Sequence, residues 1–192
     1  MGVLENKLFT EIDNLPASKS WFVQFAARNG VTTSDTRLAQ AKSGKDYDSE
    51  MIVALLNQVS RVKKFRDAMS PLPMRFEDPD EVSKLVNDFE SGKLRITVNR
   101  TEEVELIFKV YNVEFLDQTM FRGIINSEVQ KTTNPSEAAP IHDERLANLT
   151  ADLLRNMGYS GRVFDTRRRI AQSKLARNLA DLGFAPEPAV TK

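Results

Sequence analysis

Apolar residues recur at three- and four-residue spacing through residues 3–90, the period of helices that bury one face. Leu4, Leu8, Phe9 and Ile12 predict a first amphipathic helix from about Val3 to Leu15, closed by Pro16. Trp21, Phe22, Phe25 and Ala26 form the apolar face of a second, which runs to Asn29 with Ser18 or Ser20 as N-cap and Gly30 as its stop. A third, from about Ser34 to Ser43, takes Ser34 or Asp35 as cap, turns Leu38 and Ala41 inward and stops at Gly44. Asp48 opens a long helix in which Ile52, Leu55, Leu56, Val59, Val62, Phe65 and Met69 repeat, with Arg61, Lys63, Lys64 and Arg66 expected on a solvated outer face. Ser70-Pro71-Leu72-Pro73 cannot continue a helix and favours an extended strap. Asp78 then caps a short helix with Pro79 at its first position, Val82, Leu85, Val86 and Phe89 inward and Gly92 at its end.

From Lys93 the period shortens to two. Leu94, Ile96 and Val98 alternate with polar residues, as do Val104, Leu106, Phe108 and Val110 beyond Asn99-Arg100-Thr101-Glu102, which predicts a β-hairpin. A helix from Thr101 through Phe115 competes, because Val104, Ile107, Phe108, Tyr111 and Phe115 also fit a helical stripe; the β-branched and aromatic enrichment favours strands. Leu116 to Gln130 adds a helix or a strand carrying Phe121, Ile124, Ile125 and Val129, and Lys131 to Pro140 reads as a linker or exposed loop. Leu146, Leu149, Leu153 and Met157 then predict a helix ending at Gly158. Ser160-Gly161 turns the chain into a second, arginine-rich helix through about Leu182, completing an αα-hairpin before a frayed tail from Ala185.

The expected architecture is mainly α with a small β-hairpin: an N-terminal helix-turn-helix bundle followed by an α+β oligomerisation region. The segments are 1–70 (helical), 71–133 (α+β with the hairpin), 134–140 (linker) and 141–192 (helical hairpin and tail). At 192 residues and 41% hydrophobic content the chain can build one compact domain or two small ones. Lys plus Arg and Asp plus Glu number 27 each, so nucleic acid would have to be held by a local patch, and a histone-like coating protein is disfavoured. Arg162, Arg167, Arg168, Arg169, Lys174 and Arg177 offer either a phosphate clamp or a cationic surface.

Catalytic signatures are sparse. With no cysteine and His142 as the single histidine, thiolate chemistry, Cys-based zinc sites, multi-His metal sites and Ser-His-Asp catalysis are largely excluded. Ser43-Gly44-Lys45-Asp46 lacks the upstream glycine and following hydroxyl of a P-loop. Glu77, Asp78, Asp80 and Glu81 are accounted for by helix capping rather than by a metal. No enzyme, cofactor or metal is therefore expected. No apolar run reaches membrane-spanning length and the start lacks a signal-peptide pattern, so a cytoplasmic protein is expected, without a membrane partner.

The stretch from Ser18 to Lys45 follows the grammar of a helix-turn-helix: Gly30 supplies the positive φ of a sharp turn and Val31 plugs the angle between two short helices. Ala26, Gly30, Val31, Leu38 and Gly44-Lys45 stand where the lambda-repressor-like helix-turn-helix domain of phage and bacterial regulators has its small residue, glycine, apolar plug, second-helix apolar residue and terminal Gly-Lys. The chain resembles that family over roughly its first 65 to 70 residues, with the turn between Gly30 and Leu38 about two residues longer than usual, which shifts the register of the DNA-facing positions. The resemblance implies that the second helix enters the major groove of double-stranded DNA and that the protein binds as a dimer. It places Asp35, Thr36, Ala39 and Gln40 at base edges, Arg37 and Lys42 at a guanine edge or phosphate, Lys45 at phosphate, and Thr32 and Thr33 in the lengthened turn beside them. The functional expectation is a sequence-specific transcription regulator of phage or plasmid type; the alternatives are a helical hairpin without DNA contact in a virion structural or assembly protein, or a small terminase subunit.

Overall fold

A computed structural model of the chain describes residues 2–43, 48–70, 72, 74–101, 103–171 and 184–186. The described residues form an α+β protein with its helices concentrated at the N-terminus. Four helices come first: α1 (Val3–Asp13), α2 (Lys19–Arg28), α3 (Asp35–Lys42) and α4 (Ser49–Met69). The short strand β1 (Met74–Phe76) and α5 (Pro79–Glu90) follow, then β2 (Leu94–Val98), β3 (Val104–Phe115), β4 (Met120–Ile125) and β5 (Glu128–Thr132). After α6 (Glu144–Asn156) come β6 (Gly161–Ala171) and β7 (Phe184–Pro186).

The helix boundaries follow from capping chemistry. Ser18, Ser34, Asp48 and Asp78 each accept a bond from a backbone N–H of the first turn, and Pro79 occupies the start of α5 where its missing N–H costs nothing. Two compact units result: Met1–Leu106 with Ile170–Lys192, and Ile107–Arg169.

In the first unit the buried set is Leu8, Phe9 and Ile12 of α1, Trp21, Phe22 and Phe25 of α2, Leu55, Val59, Val62 and Phe65 of α4, and Val82 and Val86 of α5. Leu4, expected inward, is half exposed. Trp21 stacks on Phe25 with centroids 5.2 Å apart and meets Phe76 of β1 at the same distance, while Phe65 lies between Phe76 and Phe89 at 6.3 and 6.0 Å. β1 pairs antiparallel with β7, Phe76 opposite Phe184. Residues 184–186 are thus a strand, not the start of a frayed tail.

The expected small hairpin is part of a larger sheet, five-stranded and antiparallel, in the order β2-β3-β4-β5 with β6 also beside β3. Strand alternation prevails over the helical stripe at 104–115, and the segment of undecided type after Leu116 is the β4–β5 pair, turned by Asn126 and Ser127 at positive φ. In the second unit Tyr111, Val113 and Phe115 of β3 and Phe121 of β4 pack with Ile141 and with Ala147, Ala151 and Leu154 of α6. Residues 134–140, read as a linker, are held by Ala139 N–H donating to Phe121 O (2.9 Å), beside a two-way bridge between Ile141 and Tyr111.

One sequence expectation is overturned here, and the helix expected before Gly158 is present as α6. The arginine-rich segment from 162 is the strand β6 as far as Ala171; 172–182 lie outside the described residues. Val163, Phe164, Thr166 and Ile170 supply its strand character, and Gly161 lies so close to β3 that an added Cβ would stand 2.8 Å from Val113 and 3.0 Å from the Glu114 carbonyl. On α6 the stripe of Leu146, Leu149, Leu153 and Met157 faces outward, because the sheet takes Ala147, Ala151 and Leu154 instead.

Candidate nucleic-acid interface

The α2–α3 pair is built from its turn outward. Val31 N–H donates to Ala26 O (2.9 Å) and Gly30 N–H to Ala27 O (3.1 Å), the double bond of a Schellman ending, with Gly30 at φ +81°. Ala26 is fully buried, Val31 half-buried, and residues 31–34 form a connection without regular structure that ends at Ser34, extended at φ −146°, whose hydroxyl accepts from Arg37 N–H (3.2 Å). Leu38 and Ala41 then pack inward.

A polar network that the sequence pattern did not reveal holds the turn in place. Asn29 donates through its side-chain amide to Phe25 O (2.8 Å) and Ser83 Oγ (3.0 Å), and accepts from Arg61 Nη1 (3.0 Å). Arg61, expected on the solvated face of α4, also reaches Gln58, Asn87 and both oxygens of Glu90. The available sequence signal was Gln58, a polar residue falling within the apolar stripe of Leu55, Val59 and Val62. At the end of α2, Arg28 Nε donates to Asp80 of α5; this bond raises the Arg28 pKa and lowers that of Asp80.

The candidate residues divide between two sides of α3. Asp35, Leu38, Ala39 and Lys42 line a mostly apolar cavity of about 180 Å³ together with Phe9 and Ile12 of α1 and with Lys19. Lys42 is drawn toward α1, 3.8 Å from Asp13 and 5.9 Å from the centre of the Phe9 ring. Lys19 shares Asp13, at 3.4 Å. Thr36, Arg37 and Gln40 are exposed on the other side, and among the described residues neither Arg37 nor Gln40 uses its side chain in a hydrogen bond or ion pair. Thr32 is exposed and Thr33 half-buried in the turn, while Lys45 lies outside the described residues. The arrangement thus groups Thr36, Arg37 and Gln40 and directs Asp35, Ala39 and Lys42 toward α1.

The basic cluster farther along the chain is dispersed by its strand. Arg162 pairs with Glu114 (2.6 Å), Asp165 with Lys109 (3.4 Å), and Arg167, Arg168 and Arg169 are exposed on β6. Lys174 and Arg177 lie outside the described residues. His142 is exposed, with its ring edge-on to Phe108. Among the described residues no three His, Asp or Glu side chains cluster as metal ligands, and no helix is long and apolar enough to cross a membrane.

No protein-family model, curated protein or solved structure matches the chain.

Proposed function

We propose that the protein is a sequence-specific double-stranded DNA-binding regulator of the phage or plasmid type, that α2 and α3 are its helix-turn-helix, and that it binds as a dimer. The observation that carries this reading is the open side of α3: a capped helix, set against α2 by a glycine turn, presents Thr36, Arg37 and Gln40 without internal partners. These are side chains that read base edges. Arg forks to guanine, Gln pairs with adenine, and the Thr methyl meets the methyl of thymine. Lys42 and Asp35, held toward α1, serve position and register rather than base choice, and the neutral whole-chain charge makes the local Arg37 contact count for more.

Selection of bound fragments from a random duplex library at near-physiological salt tests the reading. The intact chain enriches a roughly palindromic motif, bound about three orders of magnitude more tightly than random duplex. The Arg37→Ala, Gln40→Ala double variant loses that enrichment, at about 1–3 kcal/mol per base contact. A folded chain that enriches nothing, or a double variant that binds as well as the parent, overturns the assignment. The second reading, a virion structural or assembly protein, is favoured by the exposed leucines of α6, and it predicts large closed assemblies without DNA.

A further inference from the structure

We propose that α6 is a docking surface for a second copy of this chain, the two helices packing antiparallel about a two-fold axis. The helix has its bulk on the open side. The sheet side takes Ala147, Ala151 and Leu154, at 0%, 5% and 0% exposure, whereas Leu146, Leu149, Leu153 and Met157 are 55%, 57%, 52% and 39% exposed. Steps of three, four and four residues keep these four side chains within an arc of about 80°, a seam one helix wide. Such a row of large apolar side chains left in water is what a partner helix covers.

Charge chooses the occupant and its direction. Arg145 and Asp152 lie seven residues apart, two turns along the same edge of the seam. When two copies pair antiparallel, Arg145 of each stands opposite Asp152 of the other, so one opposite-charge contact is made twice, as a two-fold interface requires. A parallel pair would place this edge of the two copies on opposite sides of the seam, where Arg145 and Asp152 meet no counterpart. Antiparallel packing also aligns the helix dipoles favourably. Asp152 is engaged within its own helix by Arg155 at 2.8 Å, but both side chains are 61% exposed, and so open a pair is readily exchanged. A seam this narrow covers less than the roughly 800 Å² per partner of a standard interface, so the dimer dissociates on dilution. This surface supplies the dimer that the DNA-binding reading calls for, yet its test contains no DNA, so either can fail alone.

Sedimentation of the full chain from about 1 to about 300 μM is the test. The parent chain passes from monomer to dimer across that range. Leu149→Glu with Leu153→Glu weakens the dimer at least tenfold, with an unchanged far-UV spectrum and melting curve because both side chains are exposed. Arg145→Asp alone weakens it several-fold, and adding Asp152→Arg restores it. The chain contains no cysteine, so Leu149→Cys gives a single thiol that crosslinks two copies on oxidation. A parent that stays monomeric, a dimer indifferent to the two glutamates, or a charge reversal that is not rescued by its complement overturns the proposal.

Discussion

Arg61 shows how far one side chain can differ from its sequence context. Its guanidinium, 23% exposed, is shared among Glu90, Asn87, Gln58 and Asn29, and so ties α4 and α5 to the turn before α3. Removing it leaves partly buried acceptors unpaired. Arg61→Met is expected to cost about 2–4 kcal/mol in urea unfolding followed by Trp21 fluorescence, and Arg61→Lys recovers less than half, because an ammonium has no planar fork. Asp117 is a second such position, in the turn between β3 and β4. It accepts from Lys131 Nζ (2.7 Å), Thr119 Oγ1 (2.5 Å) and Thr119 N–H (3.1 Å), and its pKa is lowered to about 2, chiefly by Lys131. A carboxyl whose folded pKa is lowered stabilises the fold above its unfolded pKa and loses that contribution as pH falls through the folded value. The window is therefore between about 4 and about 2. In an NMR titration the Asp117 carboxyl should move near pH 2 in the parent and return toward its ordinary value in Lys131→Met; an unchanged midpoint in that variant would reject Lys131 as the cause.

Elements were legible wherever local chemistry decides them. Caps at Ser18, Ser34, Asp48 and Asp78, stops at Gly30, Gly92 and Gly158, and the change of period at Lys93 all mark real boundaries. The misreadings occur where a distant partner decides. Arginine is a good helix former, so residues 162–171 look helical in isolation, and only β3, dozens of residues upstream, makes them a strand. The spacing of Leu146, Leu149 and Leu153 located α6 correctly without fixing which face is buried; the sheet takes Ala147, Ala151 and Leu154. The candidate interface divides in the same way. Its cap, glycine turn and inward Leu38 were readable, but the direction of Asp35, Ala39 and Lys42 depends on where α1 lies, which the spacing within α3 does not encode.

At the scale of the molecule, the first unit is discontinuous in sequence: Met1–Leu106 is joined by Ile170–Lys192, with the second unit inserted between them. β7 gives β1 its partner and brings Phe184 opposite Phe76, next to Trp21. A chain ending at residue 183 should therefore lose about 1–2 kcal/mol from the first unit, a fall of about 3–8 °C in Tm by Trp21 fluorescence, with faster amide exchange across Met74–Phe76. Equal exchange with and without β7 would mean that this pairing contributes nothing. The same arrangement sets an order of events on the ribosome. Phe76 emerges well before its partner at 184, and at 5–20 residues per second the strand edge waits about 5–20 s for completion. The inserted unit is completed within that interval, at residue 169, while the earlier one is still unsealed, so the nascent chain is most open to chaperones, and to misassembly with its neighbours on the same message, at its N-terminal end.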